Sequence, residues 1–116
     1  MNTENNHLPY DNGKLTVPTC NGTYFFNADE ILRLQASSNY TFIYFTNRKP
    51  LLMAKVLHDY EALLCHAGFV RTHRSHLVNK KHVLCIDAGG HLIMSDASTA
   101  QISRRKKGSV MRALSM

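Results

Sequence analysis

From Leu15 to Ser103 the apolar residues come in short runs, each closed by turn-forming residues, and only one segment in the middle of the chain has clear helical spacing. Such punctuation encodes short strands joined by tight turns. Leu15 to Thr19 and Tyr24 to Asn27 flank Asn21-Gly22 and read as a hairpin. Asp29 and Glu30 form a brief helical or bent turn. Ile31 to Ala36 and Tyr40 to Thr46 are two more strands around Ser37-Ser38-Asn39, and Leu51 to Ala54 follows the turn Asn47 to Pro50. Lys55 to Ala67 sets Val56, Leu57, Tyr60, Leu63, Leu64 and Ala67 at helical spacing before Gly68, a C-terminal stop; this is a scaffold helix. Strands resume with Phe69 to His76, a short stretch from Leu77 to His82, Val83 to Asp87, the turn Ala88-Gly89-Gly90, His91 to Ser95, and Thr99 to Ser103. A basic segment from Arg104 to Leu114 closes the chain, and its Val110, Met111 and Leu114 can anchor one helical face. About nine short strands, one scaffold helix and a C-terminal helix predict a mostly β domain with short helices.

The segment from Phe69 to Val83 concentrates cations and amides at period two between apolar residues. Read as a strand, it sends Phe69, Arg71, His73 and Ser75 to one side and Val70, Thr72, Arg74 and His76 to the other. Arg74 is then held at a fixed height, and its planar fork of donors suits guanine O6 and N7 or a phosphate. A solvated strand face is the plain alternative.

Charge extends that argument to the whole chain. Lys and Arg number 14 against 8 acids, a formal charge of +6 with a pI near 9.5. The cations fall mainly into two clusters, Arg71 to Lys81 and Arg104 to Arg112, which points to a polyanion as partner. In the second cluster Ser103 can cap the helix that follows, leaving amide donors beside Arg104, Arg105, Lys106 and Lys107, a junction able to hold phosphates. Four cations at a helix N-terminus oppose the macrodipole, and an anionic partner relieves that conflict. At the Asn39-Tyr40 turn an amide and a phenol can meet bases or sugar; a turn Asn beside a core-packed Tyr is the structural alternative.

Other chemistries lack support. His73 and His76 lie three apart, a spacing that on a strand sends the rings to opposite faces, and there is no CxxC or HExxH motif, so no metal is expected. Cys20, Cys65 and Cys85 are odd in number, widely spaced and set in largely apolar sequence, which argues against disulfides and for a reducing cytoplasm, and Cys65 and Cys85, within apolar periods, read as structural thiols. Ser75 has no acid-base relay, and Gly89-Gly90 is too short to cradle a phosphate. No enzyme and no cofactor is expected. The 116 residues allow one domain, over 14–116, without a second module such as a receiver. Residues 1–13, Asn-rich with Pro9 and Gly13, read as a flexible arm with no signal sequence, and no apolar run approaches the ~20 residues that cross a bilayer, so no membrane partner is expected.

The order Ile31-Leu-Arg-Leu-Gln-Ala-Ser-Ser-Asn-Tyr40, a helix ending at Gly68, Phe69-Val-Arg-Thr-His-Arg-Ser-His-Leu-Val-Asn79 and Ile102-Ser-Arg-Arg-Lys-Lys107 resembles the LytTR family of bacterial DNA-binding domains over roughly residues 14–114. The resemblance implies an elongated arrangement of small antiparallel β-sheets with short helices in place of a recognition helix. It implies a transcription regulator, commonly the output domain of a two-component response regulator, whose loops enter successive major grooves of double-stranded DNA at direct repeats. Carried over residue by residue, Asn39 and Tyr40 match one DNA-reaching loop, Arg74 within His73-Arg74-Ser75 a base-contacting position, and Ser103-Arg104-Arg105 a third loop, with Lys106 and Lys107 beside it. Asn79 matches a recurrent Asn that reads as turn-forming before DNA-contacting. A second copy on adjacent repeats, a receiver and a sensor kinase are partners the resemblance leaves open. Two rivals stand beside it. One is RNA or single-strand binding with Tyr24, Phe25, Phe26, Tyr40, Phe42, Tyr44 and Phe45 as stacking platforms; the other is a β interaction or small-ligand module with incidental charge.

Overall fold

Why so short a set of strands makes a stable domain is seen in how their apolar faces are shared. The computed structural model describes residues 10–11 and 13–115, in which the chain forms eleven strands and two α-helices. Strands β1 (Tyr10–Asp11), β2 (Lys14–Thr19) and β3 (Gly22–Asn27) form one antiparallel sheet, the β2–β3 hairpin turning through Cys20 and Asn21. Residues 1–9 and Asn12 of the expected arm lie outside the described residues, whereas Tyr10 and Asp11 pair with Leu15 and Lys14. The central sheet is built from β4 (Ile31–Ser37), β5 (Tyr40–Phe45), β6 (Leu51–Met53), β7 (Phe69–His73) and β8 (His76–Asn79), in the order β6-β5-β4-β8-β7. All its pairings are antiparallel. A third sheet holds β9 (Val83–Ile86), β10 (Leu92–Met94) and β11 (Thr99–Ala100), with β10 in the middle.

Alternation explains the packing. Along β5, Thr41, Ile43 and Phe45 are buried while Tyr40, Phe42 and Tyr44 are less so, as period two requires. Strand β8 lies between two cores and is buried throughout: Leu77 joins one core, and Val78, pointing the other way, joins the second. The first core gathers Leu15, Val17, Ile31, Leu34 and Ile43 against Leu57, Tyr60 and Leu64 of helix α1 (Leu57–Leu64). The second gathers Val78, Leu92, Met94 and Ala100, with Leu114 of helix α2 (Lys107–Leu114) packed beside them. The result is a rod of 53 × 25 × 25 Å, mostly β with short helices.

Local differences from the sequence reading have simple causes. The helix expected over 55–67 is α1 over Leu57–Leu64 followed by a 3-10 turn, Cys65–Ala67, and Gly68 closes it at φ 86°. Val56 precedes the helix and is exposed, because its extended backbone carries the chain out of β6. Met111 is also exposed, so Val110 and Leu114 anchor α2. Cys20, Cys65 and Cys85 are all exposed, so Cys65 and Cys85 are not structural core thiols; short strands and a narrow helix stripe leave one side of each element outside. Among the aromatic residues, Phe26 and Phe45 are buried, whereas Phe25 and Tyr40 face solvent.

Candidate nucleic-acid interface

Phe69 to His76 is not one strand. It is a hairpin, β7 and β8, that turns at Arg74 and Ser75, with His73 opposite His76 and an irregular register between Arg71 and His73. Arg74 therefore does not share a strand face with Val70 and Thr72; it stands at the tip of a turn, where a side chain reaches farther from the sheet than it would along a strand. No Gly, Asn or Pro marks this turn, so nothing in the local sequence signals it.

The backbone of the turn is fastened from within. The Arg71 guanidinium donates through Nε to the His73 carbonyl at 2.9 Å and through Nη2 to the Arg74 carbonyl at 2.6 Å. Its Nη1 donates to Glu61 Oε1 on α1 at 2.7 Å. The Ser75 amide donates to His73 Nδ1 at 3.1 Å, and the Ser75 carbonyl accepts from the Ala36 amide at 2.9 Å. Arg74 itself is exposed, and no described residue hydrogen-bonds or ion-pairs with its guanidinium.

That Ala36–Ser75 bond also sets the first loop beside the second. Strands β4 and β5 close through Ser38 and Asn39, with Ser37 opposite Tyr40 and Ser38 in the left-handed region at φ 56°. Since Gln35 pairs with His76, the Asn39-Tyr40 turn and the Arg74-Ser75 turn stand at the same end of the central sheet. Asn39 is exposed and Tyr40 is 48 % exposed, so this Tyr is not core-packed. The third stretch is attached through Thr72, a fully buried residue of β7. Its carbonyl accepts from the Ser103 amide at 2.7 Å, and its Oγ1 donates to the Gln101 carbonyl at 2.8 Å.

At this junction Ser103 precedes a 3-10 turn, Arg104–Lys106, but its side chain makes no capping bond; the Ser103 carbonyl accepts from the Lys106 amide instead. Helix α2 starts only at Lys107. Arg104, Arg105, Lys106 and Lys107 are exposed, and among the described residues none is ion-paired. A cleft of about 680 Å³ opens beside them, lined by His73, His91, Gln101, Ser103, Arg104 and Lys107 among others.

Several expected contributors have other roles in the fold. Asn79 is 2 % exposed, its Nδ2 donating to the carbonyls of Ala28 and Ile31 and its Oδ1 accepting from the Lys81 amide. It ties β8 to the turn ahead of β4 and has no surface left for DNA. The first basic cluster is thinner than its composition implies, because Arg71 is paired with Glu61 and Lys81 with Asp29. His73 and Ser75 are half-buried and hold the turn together. His76 is buried, its Nδ1 without a partner, and burial, with Arg33 and His73 nearby, pushes its pKa down to about 4. Arg71 and Thr72 are what the sequence reading missed; Glu61, ten residues before Arg71, leaves no local signal.

Residues 21–115 match the model of the LytTr DNA-binding domain. The chain belongs to the LytTr family. Among solved structures this LytTr domain is similar to the LytTr DNA-binding domain of a putative methyl-accepting/DNA response regulator from Bacillus cereus, at 24 % identity and a TM-score of 0.71, over 90 % of this chain and 97 % of that one. That likeness bears on the fold alone, small antiparallel sheets with short helices. No curated protein matches the chain. The family is one of DNA-binding domains of transcription regulators, not of enzymes, and no helix among the described residues is long and apolar enough to cross a membrane.

Proposed function

We propose that this LytTr domain recognises double-stranded DNA at specific sites in the bacterial cytoplasm, reading direct repeats through successive major grooves. The Asn39-Tyr40 turn, Arg74 at the tip of the β7–β8 hairpin and the Ser103–Arg105 junction are the reading elements, with Lys106 and Lys107 on phosphates. Supporting this is one observation above all. A run of backbone hydrogen bonds, Ala36 to Ser75 and Ser103 to Thr72, brings stretches more than sixty residues apart into one neighbourhood and leaves their cations exposed and unpaired. Phosphate contacts set affinity and register, and the few side chains that reach base edges set sequence. A guanidinium on a rigid turn fits guanine O6 and N7 as a bidentate donor. Two copies side by side would fill paired repeats, and a receiver answering to a sensor kinase would supply the control usual for a response-regulator output domain.

The test is selection from a pool of random duplexes at ~0.15 M salt, where purely electrostatic association is much weakened. Enrichment of a short motif, repeated at one or two helical turns of ~10 bp, is the expected result. Binding without enrichment would reduce the domain to a basic architectural or single-strand reader, and absence of saturable binding would overturn the reading.

A further inference from the structure

We propose that Arg71 is a positioning residue for sequence reading: it holds the Arg74 turn in the conformation that presents Arg74 to DNA, and does so from helix α1 through Glu61. The inference rests on the DNA reading above and adds to it a residue that touches no base. Three nitrogens of one guanidinium take three acceptors, the His73 carbonyl, the Arg74 carbonyl and Glu61 Oε1, at 2.9, 2.6 and 2.7 Å. Two of those acceptors are the consecutive carbonyls that lead into and out of Arg74. With the Ser75 amide on His73 Nδ1 and the Ser75 carbonyl on the Ala36 amide, the turn has little backbone freedom left. The side chain of Arg71 is only 15 % exposed, so it is poorly placed to meet a phosphate. Its acidic anchor lies on a different element, which means that the tilt of the turn follows α1 as well as the sheet.

A planar fork is needed for this arrangement. Lysine keeps the charge but offers one nitrogen in place of three spread over a plane. Reading a base edge depends on donors held within fractions of an ångström, so a loosened turn loses discrimination before it loses general affinity.

Three measurements on Arg71→Lys and Glu61→Ala test the proposal. Affinity for the selected duplex should fall about tenfold in Arg71→Lys and severalfold in Glu61→Ala, while affinity for random duplex changes less than about twofold. If Arg71 were a phosphate contact, Arg71→Lys would bind nearly as wild type, and Glu61→Ala, one acid fewer, would bind both duplexes as well or better; either pattern overturns the clamp. Amide hydrogen exchange in the DNA-free protein should quicken at Arg74 and Ser75 and stay unchanged at Leu77 and Val78. Unchanged exchange at the turn overturns the clamp whatever the DNA result. Quickened exchange in a protein whose wild type selects no motif would instead sink the DNA reading and leave the clamp standing. Glu61→Ala guards the test against a poorly folded Arg71 variant, because Glu61 is outside both cores.

Discussion

The Ser103 amide donates to the Thr72 carbonyl at 2.7 Å, and the Thr72 hydroxyl donates back to Gln101, so one buried residue of β7 holds the basic junction at two points. Thr72→Val keeps shape and removes the hydroxyl bond, leaving the Gln101 carbonyl with one partner fewer in a half-buried setting. The expected loss is about 1–2 kcal/mol in urea unfolding, together with weaker binding of the selected duplex, because Ser103–Lys107 hangs from this link. Full stability with normal binding would show the junction to be held by α2 instead.

Arg74→Ala should cost about 1–3 kcal/mol on the selected site and much less on random duplex. The position at a turn tip, without a partner among the described residues, makes the stability cost small, so the binding loss is readable directly. Equal losses on both duplexes in a titration would make Arg74 a phosphate contact.

Much of this was open to reading in the chain. Apolar alternation gave the strand content, Gly68 the close of the helical segment that starts with α1, and the Ser37-Ser38-Asn39 step its turn, because each of these is decided within a few residues. What escaped was decided over distance. The two-residue turn at Arg74-Ser75 carries no Gly, Asn or Pro, and the irregular register between Arg71 and His73 is set by pairing with β8 and has no signature within the segment. Its stabiliser, Arg71, is an ordinary strand cation until Glu61 comes from another element. Asn79 forms the turn read for it, its Oδ1 accepting from the Lys81 amide, yet the carbonyls its Nδ2 serves belong to Ala28 and Ile31, about fifty residues upstream in sequence. The thiols show the same limit: Cys85 follows Leu84 in an apolar run, but β9 is an edge strand and leaves both outside.

Asn79→Ala is expected to destabilise the domain by about 2–3 kcal/mol, since two buried carbonyls and one amide lose a partner together. The ratio of affinities for selected and random duplex should stay as in wild type when measured well below the melting point. A change in that ratio without loss of stability would return Asn79 to the reading surface.

Lys106→Ala and Lys107→Ala should weaken selected and random duplex alike, because an ammonium on a flexible stem meets phosphates without reading bases. Each lost contact reduces the slope of log affinity against log salt by roughly 0.9. Removing either cation also eases repulsion at the start of α2, so helix stability should hold or improve slightly. A salt slope equal to that of wild type would take these lysines off the DNA.

His76 gives the domain a pH dependence with a fixed sign. Burial, and then the charges of Arg33 and His73, lower its pKa from 6.5 to about 4. Below the unfolded pKa the open chain takes up a proton that the folded domain refuses, so the unfolded state binds more protons and stability falls as pH drops. Stability is therefore full above the unfolded value and declines between there and the folded one, the loss reaching about 3 kcal/mol near pH ~4. Urea unfolding between about pH 7 and about pH 4.5 should show this decline in wild type. His76→Phe, which removes both the proton site and the unpartnered Nδ1, should show a flatter profile. Parallel profiles for the two proteins would mean that another group, not His76, carries the acid sensitivity.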